Sequence, residues 1–458
     1  MKRSYRILPV YSGDCSGVAS ALYELGGMVV IHDPSGCNST YNPHDETRWY
    51  RRPSLIFISG LKESDAVMGN DRKFVEDVTA AARQLKPAFI ALTNSPIPYI
   101  NGTDFKALAR MIEEATGIPS FYVKANGMHD YTYGASLAFG AYAKHVLAEG
   151  AGAGAQSCRQ NGDGPEQEAR GRAAVSGDGA GFSGGHAASD ENRAPRPRLN
   201  LLGATPLDFW DMDCIDEIRR TLKQMGWEIG CCYAMNHEEP AVGAGVSVEN
   251  GVPDFSMQRG NDDDPAGAHV NLVLSGTGLA MARELKKAFG TPYVAGVPVG
   301  AYAQVLDRQL RKAAGLPYGD PEETSHAPAS AGAGSAAGGS NYAVGESVVM
   351  GSIAEAIRLE YGTEFSVLCP VETGRESEAR PAGAEVQIIP VTGEEEIEAF
   401  LKDADRVMGD PLYRHVCGPQ TALTELPALS FSGRCFRKSK KNLMLLSEYY
   451  PSSQEVSE

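Results

Sequence analysis

Two cysteines stand where a thiol could bind a metal or act as a nucleophile. Cys15 lies in YSGDCSGVASAL, at the start of a predicted helix. There the positive end of the helix dipole lowers the pKa of a thiol and favours the thiolate. Cys37 lies in IHDPSGCNSTYN, in the loop after the apolar run MVVIH. One helix and one strand separate the two thiols, so the sequence predicts that both return to the same edge of a parallel sheet.

Further candidates follow other predicted strands. Ser95 lies at the tip of TNSPIPYI, in a third loop on the same edge, and Ser275 and Gly276 open a helix in Ser-Gly-Thr-Gly. Such a helix N-terminus suits a bound anion, although a tight strand-to-helix turn is the favoured interpretation. Cys232 ends the run WEIGCCY beside Cys231. Neighbours on a strand face opposite sides, so at most one faces a cavity, and packing is the favoured role for both.

Alternating apolar runs and amphipathic patterns must position these residues. They predict an α/β fold of three doubly wound, Rossmann-like domains with parallel sheets around a central cavity. The predicted domains are 1–149, 199–324 and 342–458, separated by Gly-rich linkers at 150–198 and 325–341. The predicted strands are MVVIH, LIFIS, AFIALT and FYVK, then LNLLGA, WEIGCCY, VNLVLS and PYVAG, and finally SVVMGS, FSVLC, EVQIIPV and ALSFS.

Composition excludes several classes of protein. The formal net charge of −16 disfavours a nucleic-acid or anionic-membrane surface, which needs clustered Lys and Arg. No signal peptide or membrane-spanning run is apparent, so a cytoplasmic protein is expected. Nine scattered cysteines are a poor disulfide framework. No P-loop occurs, so any ATP chemistry belongs to another polypeptide.

Through four features together, the sequence resembles the nitrogenase component 1 family. They are Cys15 before a helix, the segment from His32 to Cys37 (HDPSGC), the run ESDAVMGNDRKF, and TNSPIPYI. The family comprises the catalytic subunits of nitrogenase and of the dark-operative protochlorophyllide and chlorophyllide reductases, with their maturation-scaffold relatives. The resemblance covers nearly the whole chain outside the linkers.

The resemblance implies an iron–sulfur cluster between two subunits, held at the positions of Cys15, Cys37 and Ser95. A serine at the third position departs from the family pattern, and two thiolates do not satisfy a four-iron cluster. A two-fold dimer supplies four thiolates, which predicts one [4Fe–4S] cluster shared across the interface. A paralogous partner with three cysteines would make the cluster asymmetric or larger. Ser95 is either an oxygen ligand in one redox state or, as favoured, a hydroxyl that caps the next turn.

A second departure concerns the family's catalytic metallocluster. The cysteine expected in the second domain aligns with Ser275, and FSGRCFRKSKKN in the third contains no histidine. Dinitrogen reduction on an iron–molybdenum-type cofactor is therefore not expected. A cavity between the domains would instead take an organic, tetrapyrrole-like substrate or another metal complex.

In the family, the stretch after Cys37 leads from the cluster towards this cavity. His44, Asp45 and Arg48 are therefore predicted proton donors or substrate anchors, with a solvated surface turn as the equal alternative. Weaker candidates, chosen because they lie in loops near predicted strand ends, are His237, His415 and Arg434.

The resemblance predicts an oxidoreductase component, working as a homodimer or with a paralogous subunit. Electrons would come from a separate reductase ATPase that resembles the nitrogenase iron protein. A scaffold or carrier for a metallocluster or tetrapyrrole is the alternative, and a metal-free small-molecule binding protein is the third hypothesis.

Overall fold

The computed structural model describes eleven stretches of the chain. They are residues 5–34, 46–49, 54–148, 196–209, 213–233, 247–249, 252–254, 265–317, 340–372, 379–431 and 442–450. Three parallel sheets follow one another along these residues, each with helices between its strands, as predicted. Most of both predicted linkers lies outside the described residues, but Arg198 and Asn341, assigned to them by composition, begin strands.

The first sheet has the strand order β2-β1-β3-β4. Its strands are β1 (Met28–His32), β2 (Ile56–Ile58), β3 (Ile90–Asn94) and β4 (Ser120–Tyr122). Every residue of β1 and β3 is buried, as expected for parallel strands covered on both faces. The order reverses between β1 and β3, so a crevice forms beyond their carboxyl ends, the usual place for a ligand in such sheets.

Six helices accompany the first sheet. They are α1 (Asp14–Leu22), α2 (Glu63–Met68), α3 (Asp71–Leu85), α4 (Pro96–Ile100), α5 (Phe105–Thr116) and α6 (Tyr131–Tyr142), which continues as a π-helix over Ala143–Ala148. Asp104 caps α5 by accepting from the Ala107 amide at 3.0 Å. Asp71 is the first residue of α3, and Asn70 takes its cap position without a side-chain cap bond.

Close packing of α1 against α6 sets the position of Cys15. A Cβ atom added at Gly17 would lie 2.0 Å from the Tyr131 carbonyl oxygen, and one at Gly134 would lie 1.9 Å from the Asp14 carbonyl oxygen. Only glycine permits backbones to approach so closely. The start of α1 is therefore held rigidly beside the first sheet.

The second sheet has the order β10-β9-β5-β6, and a short antiparallel pair, β7 with β8, lies outside it. The strands are β5 (Arg198–Leu202), β6 (Glu228–Tyr233), β7 (Ser247–Glu249), β8 (Val252–Asp254), β9 (Val270–Val273) and β10 (Tyr293–Ala295). The helices among its described residues are α7 (Cys214–Gln224), α8 (Leu279–Phe289) and α9 (Tyr302–Ala313).

The third sheet corrects several predictions. Its order is β13-β12-β11-β14-β15, with β11 (Asn341–Val344), β12 (Ser366–Cys369), β13 (Ile388–Pro390), β14 (Arg406–Gly409) and β15 (Ala422–Glu425). The predicted strand SVVMGS is wrong, because it begins α10 (Ser347–Tyr361), whose first eleven residues are all buried. ALSFS makes only an isolated bridge, between Phe431 and Tyr11. The last helix of this domain is α11 (Glu394–Leu401).

The described helices include none long and apolar enough to cross a bilayer.

Candidate functional site

Cys15 lies in the crevice of the first sheet, in the first turn of α1. Its Sγ lies 3.1 Å from the Asn94 carbonyl oxygen at the end of β3. Burial, with the carboxylates of Asp14 and Asp33, raises the pKa of this thiol well above its usual value. The prediction of a helix-favoured thiolate is therefore wrong, because desolvation and two nearby acids outweigh the helix dipole.

Ser95 and Asp33 lie at the same crevice, after β3 and β1. The Ser95 amide donates to the His32 carbonyl oxygen at 3.3 Å, which joins the two loops. Both side chains are only 2% exposed, yet Ser95 Oγ and Asp33 Oδ2 find no hydrogen-bond partner among the described residues. Ser95 occupies the N-cap position of α4 without making a side-chain cap bond, so the favoured capping role is wrong. Cys15, Asp33 and Ser95 are called the cysteine edge below.

Three residues predicted for this region, Cys37, His44 and Asp45, lie outside the described residues. Arg48 is described and is buried: its Nε lies 2.6 Å from Glu46 Oε1, and its Nη2 donates to the Ser20 carbonyl oxygen at 2.8 Å. Its guanidinium also lies over the Tyr23 ring, 4.3 Å from the centroid. These contacts hold Arg48 inside the first domain.

Apolar side chains are exposed beside the cysteine edge on two short helices. The Asn101 Nδ2, just after α4, donates to the Ala66 carbonyl oxygen of α2 at 3.0 Å, so the helices are neighbours. Met68 is 82% exposed and Ile100 is 79% exposed. The exposed apolar residues of the two helices are called the apolar surface below: Val67, Met68, Ile97, Tyr99 and Ile100.

A second polar cluster lies where the three domains meet. The Ser275 hydroxyl caps the turn after β9 by accepting from the Thr277 amide at 3.1 Å. The Gly276 amide donates to Glu346 Oε1 at 3.1 Å, and the other Glu346 oxygen caps α10 by accepting from the Val348 and Val349 amides. An anion does occupy this turn, as its sequence suits, but it is a carboxylate of the chain itself. Burial raises the Glu346 pKa, and these amides oppose the shift.

Asp208 lies at the same junction. It accepts from the Tyr131 hydroxyl at 3.1 Å and from the Thr205 amide at 2.8 Å. Burial, with the Glu346 carboxylate, raises the pKa of Asp208 to about 7. Asp208, Tyr131, Ser275, Gly276 and Glu346 are called the domain junction below.

The cavity at the domain junction is small. The described residues enclose about 30 Å³ there, between Tyr11 and Tyr131 of the first domain, Asp208 of the second and Tyr413 of the third. A water molecule needs about 10–15 Å³ by this measure, so the space suits one or two waters. It is too small for the organic substrate or metal complex predicted for a central cavity.

The remaining candidates are dispersed. Cys232 is partly buried near the end of β6 and Cys231 is buried in a different apolar cluster, so the two face opposite sides as predicted. His415 ends a 3-10 turn of the third domain, over Pro411–His415. Arg434 and His237 lie outside the described residues.

Known proteins share this architecture. Residues 16–326 match the family described as Nitrogenase component 1 type Oxidoreductase. The chain belongs to this family. The resemblance given by the sequence is thereby confirmed.

Two more specific similarities accompany the family match. The nitrogenase iron-molybdenum cofactor biosynthesis protein NifE of Klebsiella pneumoniae is 27% identical over 103 residues, a stretch that spans 22% of this chain and 22% of that protein. The solved structures of Nitrogenase Cp1 at pH 6.5 and pH 5 each cover 100% of this chain and 92% of their own, at a TM-score of 0.57 and identities of 14% and 12%. Identities this low establish the shared fold alone.

Component 1 proteins of this family typically bind iron–sulfur clusters, and the cysteine edge offers donors for one. It presents the Cys15 sulfur with two buried oxygens that lack partners in the described stretches, on Ser95 and Asp33. The Cys15 sulfur fits such a group in type, because iron–sulfur clusters are held by cysteine thiolates. No three His, Cys, Asp or Glu side chains converge as metal ligands within the described part of the chain. The edge alone is thus an incomplete ligand set.

Sequence reasoning missed Asp33, Asp208 and Glu346. Asp33 lies within the family-like segment HDPSGC, so its position after a buried strand was an available signal. Glu346 directly precedes the misassigned run SVVMGS, and glutamate is not among the residues that favour the N-cap position, so it gave no cap signal. Asp208 has one local partner, the Thr205 amide three positions away, but its partner Tyr131 is 77 positions away and gave no sequence signal.

Proposed function

We propose that this family member is the electron-accepting component of a nitrogenase-like oxidoreductase, with an iron–sulfur cluster at the cysteine edge of two associated subunits. The observation that carries the proposal is the buried thiol of Cys15 next to buried oxygens of Ser95 and Asp33 that have no hydrogen-bond partner among the described residues. A buried polar atom without a partner costs about 1–3 kcal/mol, so a fold retains such atoms where another group completes them.

Cys15 and, outside the described residues, Cys37 would hold the cluster in each subunit, and a two-fold partner would supply the same pair. When bound, a [4Fe–4S] cluster accepts and releases one electron at a time. The protein positions Cys15 through the rigid start of α1 and excludes water through burial. The Cys15 proton must leave when a metal binds, because metal-bound cysteine is a thiolate.

The partner that delivers electrons would be a reductase ATPase like the nitrogenase iron protein. The apolar surface supports its docking, because contiguous exposed apolar residues mark interaction sites. It lies on the two helices beside the cysteine edge, which would bring a docked reductase close to the cluster. The substrate would be a small organic molecule, with a tetrapyrrole as one candidate.

The test is the iron and acid-labile sulfide content of protein purified without oxygen, read with its EPR spectrum. About four iron atoms and four sulfides per dimer are expected. The Cys15→Ala variant should lose the iron, the sulfide and the EPR signal. Cys417→Ala, a partly buried thiol in the third domain, is the control and should keep them. Iron-free wild-type protein, or an unchanged spectrum in Cys15→Ala, would refute the proposal.

A second candidate function is a scaffold that carries a metallocluster or tetrapyrrole during biosynthesis and turns over nothing itself. Similarity to the biosynthesis protein NifE favours it. The two functions share the cysteine edge and differ in turnover. Substrate reduction with the cognate reductase and ATP would support the oxidoreductase, whereas release of an intact cluster or tetrapyrrole to an acceptor protein without turnover would support the scaffold.

A further inference from the structure

A larger cavity opens beside the first sheet, away from the domain junction. Its volume is about 530 Å³, within the usual range of about 300–1,000 Å³ for small-molecule sites. The floor is apolar and is built from β1 and the buried face of α3: Met28, Val30, Phe74 and Val78. Helix α2 and the segment before α5 form its rim. We call this space the amine cavity.

The rim of the amine cavity is acidic. Four aspartates line it, Asp65, Asp71, Asp77 and Asp104, against one lysine, Lys73. Lys73 is neutralised by Asp77, whose carboxylate lies 2.7 Å from its Nζ. The three other carboxylates thus give the cavity a negative potential, which attracts cations and repels carboxylates and phosphates.

A histidine side chain lies in the cavity wall. The His32 ring is largely buried between Phe74 and Phe105, with ring centroids 4.5 and 5.7 Å away. Its Nδ1 lies 2.7 Å from Ser59 Oγ, whereas Nε2 makes no hydrogen bond to any described residue. When Nδ1 donates to Ser59, Nε2 is an acceptor for a ligand.

We infer that the amine cavity binds an organic molecule that joins an apolar body to a protonated amine. The apolar body would cover the floor between β1 and α3. The ammonium would lie among Asp65, Asp71 and Asp104, and a donor on the ligand would reach His32 Nε2. This inference does not rest on the proposed cluster, since no residue of the cysteine edge lines the cavity, whereas Val67 and Met68 of the apolar surface do.

Helix α2 is built as a movable cover for this site. None of its residues is buried, and Gly60 and Gly69 flank it with φ values of +65° and +76°. Glycine adopts such conformations without strain, so both ends of α2 can change direction at low cost. We expect α2 to close over a bound amine.

The test uses the full chain, purified without oxygen, in isothermal titration with three indole probes of similar size. Tryptamine carries an ammonium, tryptophol is neutral and indole-3-propionate is anionic. One tryptamine should bind per chain, at least ten-fold more tightly than tryptophol, and indole-3-propionate should bind more weakly still. Equal affinities for the three probes, or no saturable tryptamine binding, would overturn the inference.

Variants of residues that line the amine cavity test whether tryptamine binds there. Asp71→Asn and Asp104→Asn should each weaken tryptamine about three- to ten-fold and leave tryptophol unchanged, while the remote exposed Asp403→Asn changes neither. Ala81→Phe fills the cavity from α3 and should abolish binding of every probe. Ala81→Leu introduces a smaller side chain, which disturbs the fold less, and it should weaken binding in part. Full tryptamine binding in a folded Ala81→Phe or Ala81→Leu protein would place the ligand elsewhere.

Discussion

The cysteine edge and the domain junction treat buried polar groups in opposite ways. At the junction, the Glu346 carboxylate accepts from the amides of Gly276, Val348 and Val349, and Asp208 accepts from Tyr131 and Thr205. At the edge, Ser95 Oγ and Asp33 Oδ2 are buried without a partner in the described chain. The junction completes itself from three domains, whereas at the edge the described residues leave two buried oxygens without a partner.

This difference separates a structural site from a candidate functional one. Both lie beyond the carboxyl ends of parallel strands, and both contain acids and small hydroxyl side chains. Position and composition therefore do not distinguish them, but hydrogen-bond satisfaction does. The junction holds the domains together around space for one or two water molecules. The edge lies beside the apolar surface, and its buried oxygens on Ser95 and Asp33 have no hydrogen-bond partner among the described residues.

The largest expected effect is at the junction. Glu346→Ala would leave three buried amides without an acceptor, so the free energy of unfolding should fall by about 3 kcal/mol or more. Glu346→Gln keeps one acceptor oxygen and should cost clearly less. Urea denaturation at pH 7 measures both. A loss below about 1 kcal/mol in Glu346→Ala would mean that the junction does not hold the domains together.

A pH-dependent effect of intermediate size is expected at Asp208. Its folded pKa of about 7 lies above its unfolded value, so the folded state binds more protons between pH 4 and 7. Asp208 therefore favours folding at low pH, and this contribution falls as pH rises to about 7 and is constant above it. Asp208→Asn removes the titration.

Relative to wild type, Asp208→Asn should gain about 1–3 kcal/mol in unfolding free energy between pH 5 and pH 8. Urea denaturation at the two pH values measures this, and the exposed Asp403→Asn is the control and should show no such trend. A constant difference between wild type and Asp208→Asn would contradict a raised pKa.

A smaller effect is expected at the cysteine edge, and it should be neutral or stabilising. Ser95→Ala removes a buried hydroxyl that lacks a partner in the described part of the chain, so unfolding free energy should stay level or rise by up to about 1 kcal/mol in cluster-free protein. Thr93→Val removes a second buried, unpartnered hydroxyl, one strand position from Asn94, and is the matched control. A loss above about 1 kcal/mol in Ser95→Ala alone would show that the edge is completed by the chain itself.

The smallest effect on stability is expected at the apolar surface. Val67→Ser and Met68→Ser change side chains that are 77% and 82% exposed, so unfolding free energy should change by less than about 0.5 kcal/mol. The same variants should weaken reductase binding if the apolar surface docks it. Thermal denaturation and a binding titration with the reductase measure the two properties separately, and a stable variant with undiminished reductase affinity would remove the apolar surface from the proposed function.

Much of the fold was predictable because local patterns carry it. MVVIH is β1 residue for residue, and the predicted strand FSVLC contains β12. SVVMGS was misassigned because α10 is buried on every side at its start, and a helix without a polar face lacks the period that distinguishes it from a buried strand. The strands β11 (NYAV), β14 (RVMG) and β15 (ALTE) were missed because none of them is a continuous apolar run.

The sequence by itself determined the three α/β units, the family and the placement of Cys15 at a helix start. Only the tertiary structure decided which polar groups are satisfied. The Cys15 thiol meets the Asn94 carbonyl across 79 positions, and Glu346 reaches Gly276 across 70. Local spacing carries no information about such partners, because they meet only after separate strands and helices have packed. Whether a buried acid or thiol is structural or open to a ligand is therefore a property of the folded chain.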